Sequence, residues 1–441
     1  MYICTDCGNE SLKWKGQCEF CKEWNTLKES KVSSKLKKDW EVWELQNIKS
    51  KWENTEERIV TSSSELNAVL GGWIVQWSII LLSGEPGIGK STLSLQLGNW
   101  IHEDIIYISG EETQGQISSR AERLDIEGKN IKILAENNIE NVISTLKKNE
   151  TKLVILDSIS VMYSSEISGT AGSISQVRAI TEMVVEYGKT TNTTFIIIGH
   201  VTKDGSLAGP KTLEHMVDTV LYFEWDKFDN LRILRCLKNR FGSSSEIGLY
   251  KMEEKWLIDI ENPGLEFISD SEDALGSALS VTMEWTRPLV IETEALTMYT
   301  KFGYPKRSAR WIVGSKLDLI IAVLGKYSSI KLDSHDVYCN ISRGLSIWEP
   351  GLDLAIAASI ISSKTGKALS KKALYIWEIS LTWKIKNVMF LERRIKEAEK
   401  MWFETLYIPE ISSSLSSLLP KNAKIKCVQI KNIWELSKMF Q

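Results

Sequence analysis

At 441 residues the chain is too long for one ordinary domain and implies two or three. Hydrophobic residues make up 43% and charged residues 25%, and the net charge of -3 excludes a uniformly basic nucleic-acid coat while leaving room for a local basic path. No apolar run approaches the ~20 residues that cross a bilayer, and Met1-Tyr2-Ile3-Cys4 opens no signal peptide, so the expectation is a cytoplasmic protein with no membrane partner.

The first module, residues 1–28, holds four of the seven cysteines as Cys4-x2-Cys7 and Cys18-x2-Cys21. Two such pairs suit tetrahedral thiolate coordination of Zn²⁺, and Gly8 and Gly16 give turn freedom beside the ligands. The bland alternative is four unrelated buried thiols. A module this short cannot bury enough core without a staple, which favours zinc. Four thiolates leave no open coordination position, so the site is structural. Cys236, Cys339 and Cys427 lie far apart and read as reduced, buried thiols. Residues 29–55 form a polar linker carrying Lys31, Lys35, Lys37, Lys38, Lys49 and Lys51.

From 56 to 265 short β-rich runs alternate with helical stretches. The runs include SIILL (78–82), DIIYIS (104–109), KLVILD (152–157) and TFIIIGH (194–200), with a helix-like segment at 173–189. This alternation predicts an α/β fold, a parallel sheet covered on both faces. The later runs TVLYFE (219–224) and RILRCL (232–237) follow each other closely and read as added antiparallel strands. An acidic loop near 264–276 opens a third region, 270–441, with core signals LDLIIAVL (317–324) and LDLAIAASII (352–361).

Directly after SIILL stands Gly84-Glu85-Pro86-Gly87-Ile88-Gly89-Lys90-Ser91, followed by Thr92, which fits G-x4-GK[ST]. Such a turn lets backbone N–H groups wrap the phosphates of ATP at a helix N-terminus. Lys90 is expected on the β/γ-phosphates and Ser91 on Mg²⁺. Asp157 ends KLVILD, where a second carboxylate is expected near Mg²⁺; a strand-end cap is its bland alternative. Glu111 and Glu112 follow another strand, DIIYIS, and one of them can polarise the attacking water. Glu111 is the first choice and Glu112 the reserve; a solvated acidic loop is the alternative.

Several motifs match, in order, the bacterial RadA (Sms) family of DNA-repair ATPases. They are the ribbon with KWKGQC, GEPGIGKST, YISGEE, ILDSISVMYSSEISGTAGSISQVR, GHVTKDGSLAGPKTLEHMVDTVLYFE and Lys238-Asn239-Arg240-Phe241-Gly242. The chain resembles this family over nearly its whole length. The resemblance implies a RecA-like ATPase core assembled as a homo-hexameric ring. It also implies ATP-driven movement on single-stranded and branched DNA, promoting branch migration alongside recombinase or replication proteins.

By motif, Lys238 and Arg240 act on a neighbour's nucleotide like arginine fingers, and His200 senses the γ-phosphate. Read alone, Lys238-Asn239-Arg240 is a solvated basic turn. The resemblance implies that the Gly/Ser-rich loops 164–175 and 202–210 face a central channel, with Arg178 and Lys203 as candidate phosphate contacts by charge; a solvated surface is the alternative for each. A replicative-helicase-like or clock-type ATPase shares the core but not this combination of ribbon and tail.

The C-terminal region resembles the proteolytic domain of Lon. Gly351 stands where that domain has its Ser nucleophile and Glu392 where it has its Lys, so an ATP-dependent protease is only a remote alternative. A scaffold with DNA-binding surface is expected instead, with Arg307, Arg310, Lys316, Arg343, Arg393 and Arg394 as candidate contacts.

Seventeen tryptophans are many for such a chain. By resemblance, Trp73, Trp77, Trp225, Trp256, Trp285, Trp311, Trp377, Trp383 and Trp402 stand at glycine positions. Trp73 and Trp77 fall in turns before SIILL, where φ > 0 suits glycine and not an indole. The expectation is that the source reads UGA as glycine. UGG codons at Trp73, Trp77 and Trp383 would contradict it.

Overall fold

The computed structural model describes residues 2–4, 10–11, 13–29, 58–199, 213–225, 231–244, 246–253, 256–260, 268, 275–284, 286–301, 303–342, 349–382, 384–386, 388–410 and 424–440. Cys7, His200, Lys203, Trp285, Arg343, Trp383 and the loop 202–210 lie outside them. The chain divides into two compact units, the first ending at Asp259 and the second running from Ile260 to the end.

In the first unit, Tyr2–Cys4 pairs antiparallel with both Glu10–Ser11 and Leu27–Glu29. Among the described residues the apolar cluster of this ribbon is Cys4, Cys18 and Leu27, flanked by Tyr2 and Cys21. That is too little buried surface to hold a fold without a cross-link.

The core of the unit is a sheet of β1 (Ile79–Gly84), β2 (Ile105–Ser109), β3 (Ile131–Ala135), β4 (Leu153–Asp157), β5 (Thr194–Ile198), β6 (Thr219–Trp225), β7 (Leu231–Asn239), β8 (Ile247–Met252) and β9 (Leu257–Asp259). Among the described residues its order is β9-β8-β7-β6-β1-β5-β4-β2-β3. Successive residues of a strand point to opposite faces. Ile80, Leu82, Ile105, Tyr107, Leu153, Ile155, Ile196 and Ile198 therefore form one core. It is closed by α1 (Ser64–Leu70), α2 (Lys90–Trp100) and α3 (Gln114–Arg123). Ile79, Leu81, Ile106, Ile108, Val154, Leu156, Phe195 and Ile197 form the other, under α4 (Ile139–Leu146) and α5 (Ile174–Thr191). Burial on both faces explains why these strands read as unbroken apolar runs.

One expectation is corrected. β6, the TVLYFE run, pairs parallel with β1, and only β7 and the strands after it are antiparallel. The chain between β5 and β6 is long enough to return to the strand's starting end, whereas five residues between β6 and β7 permit only a reversal.

The second unit is built on a mixed sheet. Its strands are β10 (Ser277–Glu284), β11 (Arg287–Tyr299), β12 (Arg307–Arg310), β13 (His335–Ile341), β14 (Ala373–Tyr375), β15 (Thr405–Pro409) and β16 (Lys426–Ile430). Their order is β12-β13-β11-β10-β14-β15-β16. Its helices are α6 (Gly314–Tyr327), α7 (Asp353–Thr365), α8 (Leu391–Lys400) and α9 (Ile433–Met439). The LDLAIAASII run lies in α7, buried on nearly every side.

Eight described non-glycine residues adopt positive φ, and three are tryptophans: Trp77 (59°), Trp311 (64°) and Trp402 (62°). Trp402 follows α8 with its N–H on Glu399 O at 3.0 Å, and Phe403 N–H reaches Ala398 O at 3.1 Å. This is a helix C-terminal closure that glycine normally supplies. Trp377 is fully buried with no hydrogen-bond partner for its Nε1 among the described residues. Trp73 departs from the expectation: the left-handed backbone falls on Gly71 and Gly72 instead.

Candidate nucleotide site and cysteine cluster

The loop after β1 is shaped by two glycines. A Cβ on Gly84 would stand 2.4 Å from Phe223 O, so only glycine lets β1 run this close to β6. Gly89 has φ 111° and caps α2, so the turn ends with backbone N–H groups aimed out of the helix. Ile88 anchors the loop in the core beneath it. Glu85, Pro86 and Gly87 are exposed, and Ser91 and Thr92 are half-buried in the first turn of α2.

Lys90 is 4% exposed, and its Nζ folds back to donate to Gly84 O and Glu85 O, both at 2.9 Å. Burial lowers its pKa to about 8, opposed by the nearby Asp157 and Glu111 carboxylates. A cation that donates to loop carbonyls, with its charge poorly solvated, suits an incoming anion.

β4 lies two strands from β1, with β5 between them. It brings Asp157 level with Ser109 of β2. The hydroxyl of Tyr107 donates to Asp157 Oδ2 at 2.5 Å, and burial followed by that carboxylate pushes the phenol well above its ordinary pKa. The next residue, Ser158, donates to Glu111 Oε1 at 2.6 Å and lies 2.6 Å from Ser160 Oγ. Glu112 is instead paired with Arg120 of α3. Electrostatically Glu111, and not its neighbour, belongs to the Lys90–Asp157 group.

Sequence reasoning missed Tyr107 and Arg232. Arg232 is buried on β7 and donates from Nε to Ile88 O at 3.3 Å, bracing the loop from behind. The available signals were a phenol inside a buried strand and a charge in an apolar one.

Lys238 lies near the end of β7 and Arg240 just beyond it, at the far end of the sheet. Lys238 Nζ donates to Glu214 O (2.6 Å) and Val217 O (2.7 Å), and Arg240 Nη1 donates to Asp218 Oδ1 (3.0 Å). Gln176 closes the 164–169 turn by bonds to Ser164 O and Ile167 O, while exposed Arg178 pairs with Glu182.

In the ribbon, the Sγ atoms of Cys4, Cys18 and Cys21 all lie within 4.8 Å of one another, with Cys4 and Cys21 at 3.6 Å. That is far beyond a disulfide and near the ~3.8 Å edge of a tetrahedron with ~2.3 Å Zn–S bonds. The donor set fits zinc.

In the second unit, a Cβ on Gly351 would meet Glu349 Oε1 at 2.8 Å and Arg394 Nη1 at 3.0 Å. Arg394 and Lys316 are corrections to the expected DNA contacts. Arg394 is fully buried in a paired fork with Glu349, and Lys316 bonds Asp353 (2.7 Å) and Glu349 O (2.8 Å). Both neutralise carboxylates inside the fold. Glu392 is exposed and paired with Lys396. Arg307 pairs loosely with Asp318, Arg310 lies over the Trp311 ring, and Arg393 donates to Thr286 O.

A glycine turn between strand and helix, with a carboxylate on the strand two places away, defines a P-loop ATPase fold of the RecA-like class, here joined to a cysteine ribbon. Comparison with known proteins refines this. Residues 2–29 match the model of the rubredoxin metal binding domain and residues 48–206 that of the AAA domain. The DNA repair protein RadA of Listeria monocytogenes is 40% identical over 437 residues, 97% of this chain and 95% of its own length. That of Bacillus subtilis is 40% identical over 420 residues, 92% of each. That of Rickettsia bellii is 41% identical over 438 residues, 97% of each. The chain belongs to the RadA family of DNA repair proteins. Among the described residues no helix is long and apolar enough to cross a membrane.

Proposed function

We propose that the protein is a DNA-dependent ATPase that forms a head-to-tail ring, a homo-hexamer, and moves on single-stranded DNA to promote branch migration of recombination intermediates. The observation that carries this reading is the separation of two cation groups along β1. Gly84 begins the phosphate loop at one end, while Arg240 N–H bonds Asp218 O and Asp218 N–H bonds Ile79 O at the other. Five steps of ~3.3 Å put ~17 Å between them. An Arg side chain does not span that distance, so Lys238 and Arg240 serve a nucleotide only in a neighbouring subunit. Such a heterologous contact is head-to-tail, the kind that builds a ring when its rotation closes.

In that composite site the backbone N–H groups of 87–91 hold the phosphates and Lys90 turns from its carbonyls onto the β/γ-phosphates. Ser91 and Asp157 would hold Mg²⁺, which would supply charge neutralisation on the phosphates. Glu111, oriented by Ser158, accepts the proton of the attacking water. His200, by its motif, reads the γ-phosphate. Lys238 and Arg240 of the adjoining subunit neutralise the charge building there. Cys4, Cys18 and Cys21, with Cys7, hold structural Zn²⁺ that staples the ribbon. Glu349 and Arg394 fill the space around Gly351, so the Lon-like second unit serves as a scaffold and not as a protease.

A three-strand branch-migration assay tests the proposal. Strand exchange that extends with ATP and stops without it is expected. Equal extension without ATP, or none with it, contradicts it.

A further inference from the structure

Asp218 is a buried carboxylate with its two oxygens on two different elements. Oδ2 accepts the Ile79 N–H at 3.1 Å, at the first residue of the strand that carries the phosphate loop. Oδ1 accepts Arg240 Nη1 at 3.0 Å. The backbone repeats the link on both sides: Asp218 N–H donates to Ile79 O at 2.9 Å, and Arg240 N–H donates to Asp218 O at 3.1 Å. The Asp218 side chain is 3% exposed and that of Arg240 50%.

Those exposures separate a positioning role from a stabilising one. An ion pair whose cation is half in water adds little to folding, too little to justify burying a carboxylate for stability alone. The carboxylate is already fixed by Ile79. The added Arg240 bond mainly restricts where a long, otherwise mobile guanidinium can point. Lys238 is restrained beside it by the carbonyls of Glu214 and Val217, the residues leading into Asp218. Both cations are thus held by the 214–218 segment, whose Asp218 bonds the first residue of β1.

We infer that Asp218 is a positioning residue that aims the Lys238–Arg240 pair at the neighbouring subunit and ties that aim to its own phosphate-loop strand. This rests on the proposal that the pair acts in trans. Asn is nearly the same size and keeps one oxygen for the Ile79 N–H, but loses the charge that orients Arg240. A misplacement of about 1 Å in a catalytic group costs ~10²-fold, so Asp218→Asn should lower kcat by ~10–100-fold while ATP affinity stays within about twofold.

The test mixes full-length subunits one to one and reads DNA-stimulated ATP turnover. A Lys90→Ala subunit has no competent loop but intact cations, and an Asp218→Asn subunit the reverse. A mixed ring therefore contains sites with both halves intact, and turnover should rise above the sum of the separate variants. Arg240→Ala mixed with Lys90→Ala is the parallel arm. Recovery in both arms supports the inference. Recovery with Arg240→Ala but not with Asp218→Asn overturns the role of Asp218 and leaves trans action standing. Recovery in neither arm overturns trans action and this inference with it. Loss of nucleotide binding by Asp218→Asn alone, measured with a fluorescent ATP analogue, places the defect in β1 of the same subunit and also overturns it.

Discussion

The loop around Lys90 and the cluster around Gly351 share a plan, a glycine turn beside buried charge, yet they differ in what satisfies that charge. Lys90 rests on two carbonyls of its own loop, with Asp157 and Glu111 held nearby by a tyrosine and a serine hydroxyl. An incoming triphosphate can replace those carbonyls. Around Gly351 the cations and carboxylates are spent on one another, Arg394 on Glu349 and Lys316 on Asp353, and the space a nucleophile would need is filled. Buried charge marks a binding site when its partner is exchangeable, and a structural plug when it is not.

The largest expected effect separates the two directly. Lys90→Ala should reduce ATP turnover by at least ~10²–10³-fold, the cost of losing one preorganised cationic donor, as measured by phosphate release with single-stranded DNA. Restoring the protease-type pair at Gly351 and Glu392 with Ser and Lys should leave casein uncut, and cleavage would break the comparison.

Next in size is Arg394→Ala. Stranding Glu349 in the fold should cost about 3–5 kcal/mol of unfolding free energy, read from denaturant titration of the second unit's transition. A cost under ~1 kcal/mol, the range of an exposed pair, would deny the plug.

A pH dependence follows from Lys90. Its pKa in the unliganded protein is about 8, lowered by burial, and a bound triphosphate raises it again. Nucleotide binding then takes up a proton above that pH. Affinity should be flat below pH ~8 and weaken by up to about tenfold per unit above it, followed by calorimetry in buffers of different ionisation enthalpy. Unchanged affinity and no proton uptake would show that the lysine already meets the nucleotide fully charged.

The smallest effect concerns Trp402, exposed and in left-handed backbone. Trp402→Gly should raise stability by about 1–2 kcal/mol without altering turnover. If UGA is read as glycine in the source, the natural protein has a lower intact mass than the indole-containing chain. Peptide mapping across residues 77, 311 and 402 checks this.

Much of the nucleotide site was legible because its signals are local. A glycine turn between an apolar run and a helix, and Asp157 ending another run, declare themselves within a dozen residues. Tyr107, Asp218 and Arg232 were not legible, since their partners are set by strand register across 50, 139 and 144 residues. For the same reason the direction of TVLYFE is not legible: an apolar run records burial, not the heading of its neighbour. Arg394 and Lys316 read as surface cations because a charge in a helical pattern is usually solvated, and only their carboxylate partners reverse that. The turn context of Trp77 was readable. That of Trp73 was not, because Gly71 and Gly72 before it absorb the left-handed backbone.

The most direct measurement is ATP turnover per subunit on single-stranded DNA across the concentration range in which the protein assembles, with oligomer size followed by light scattering. If, as proposed, each phosphate loop takes cations from the next subunit, turnover per subunit should rise with the assembled fraction and vanish in the monomer. A monomer that hydrolyses ATP at the full rate would contradict the shared site.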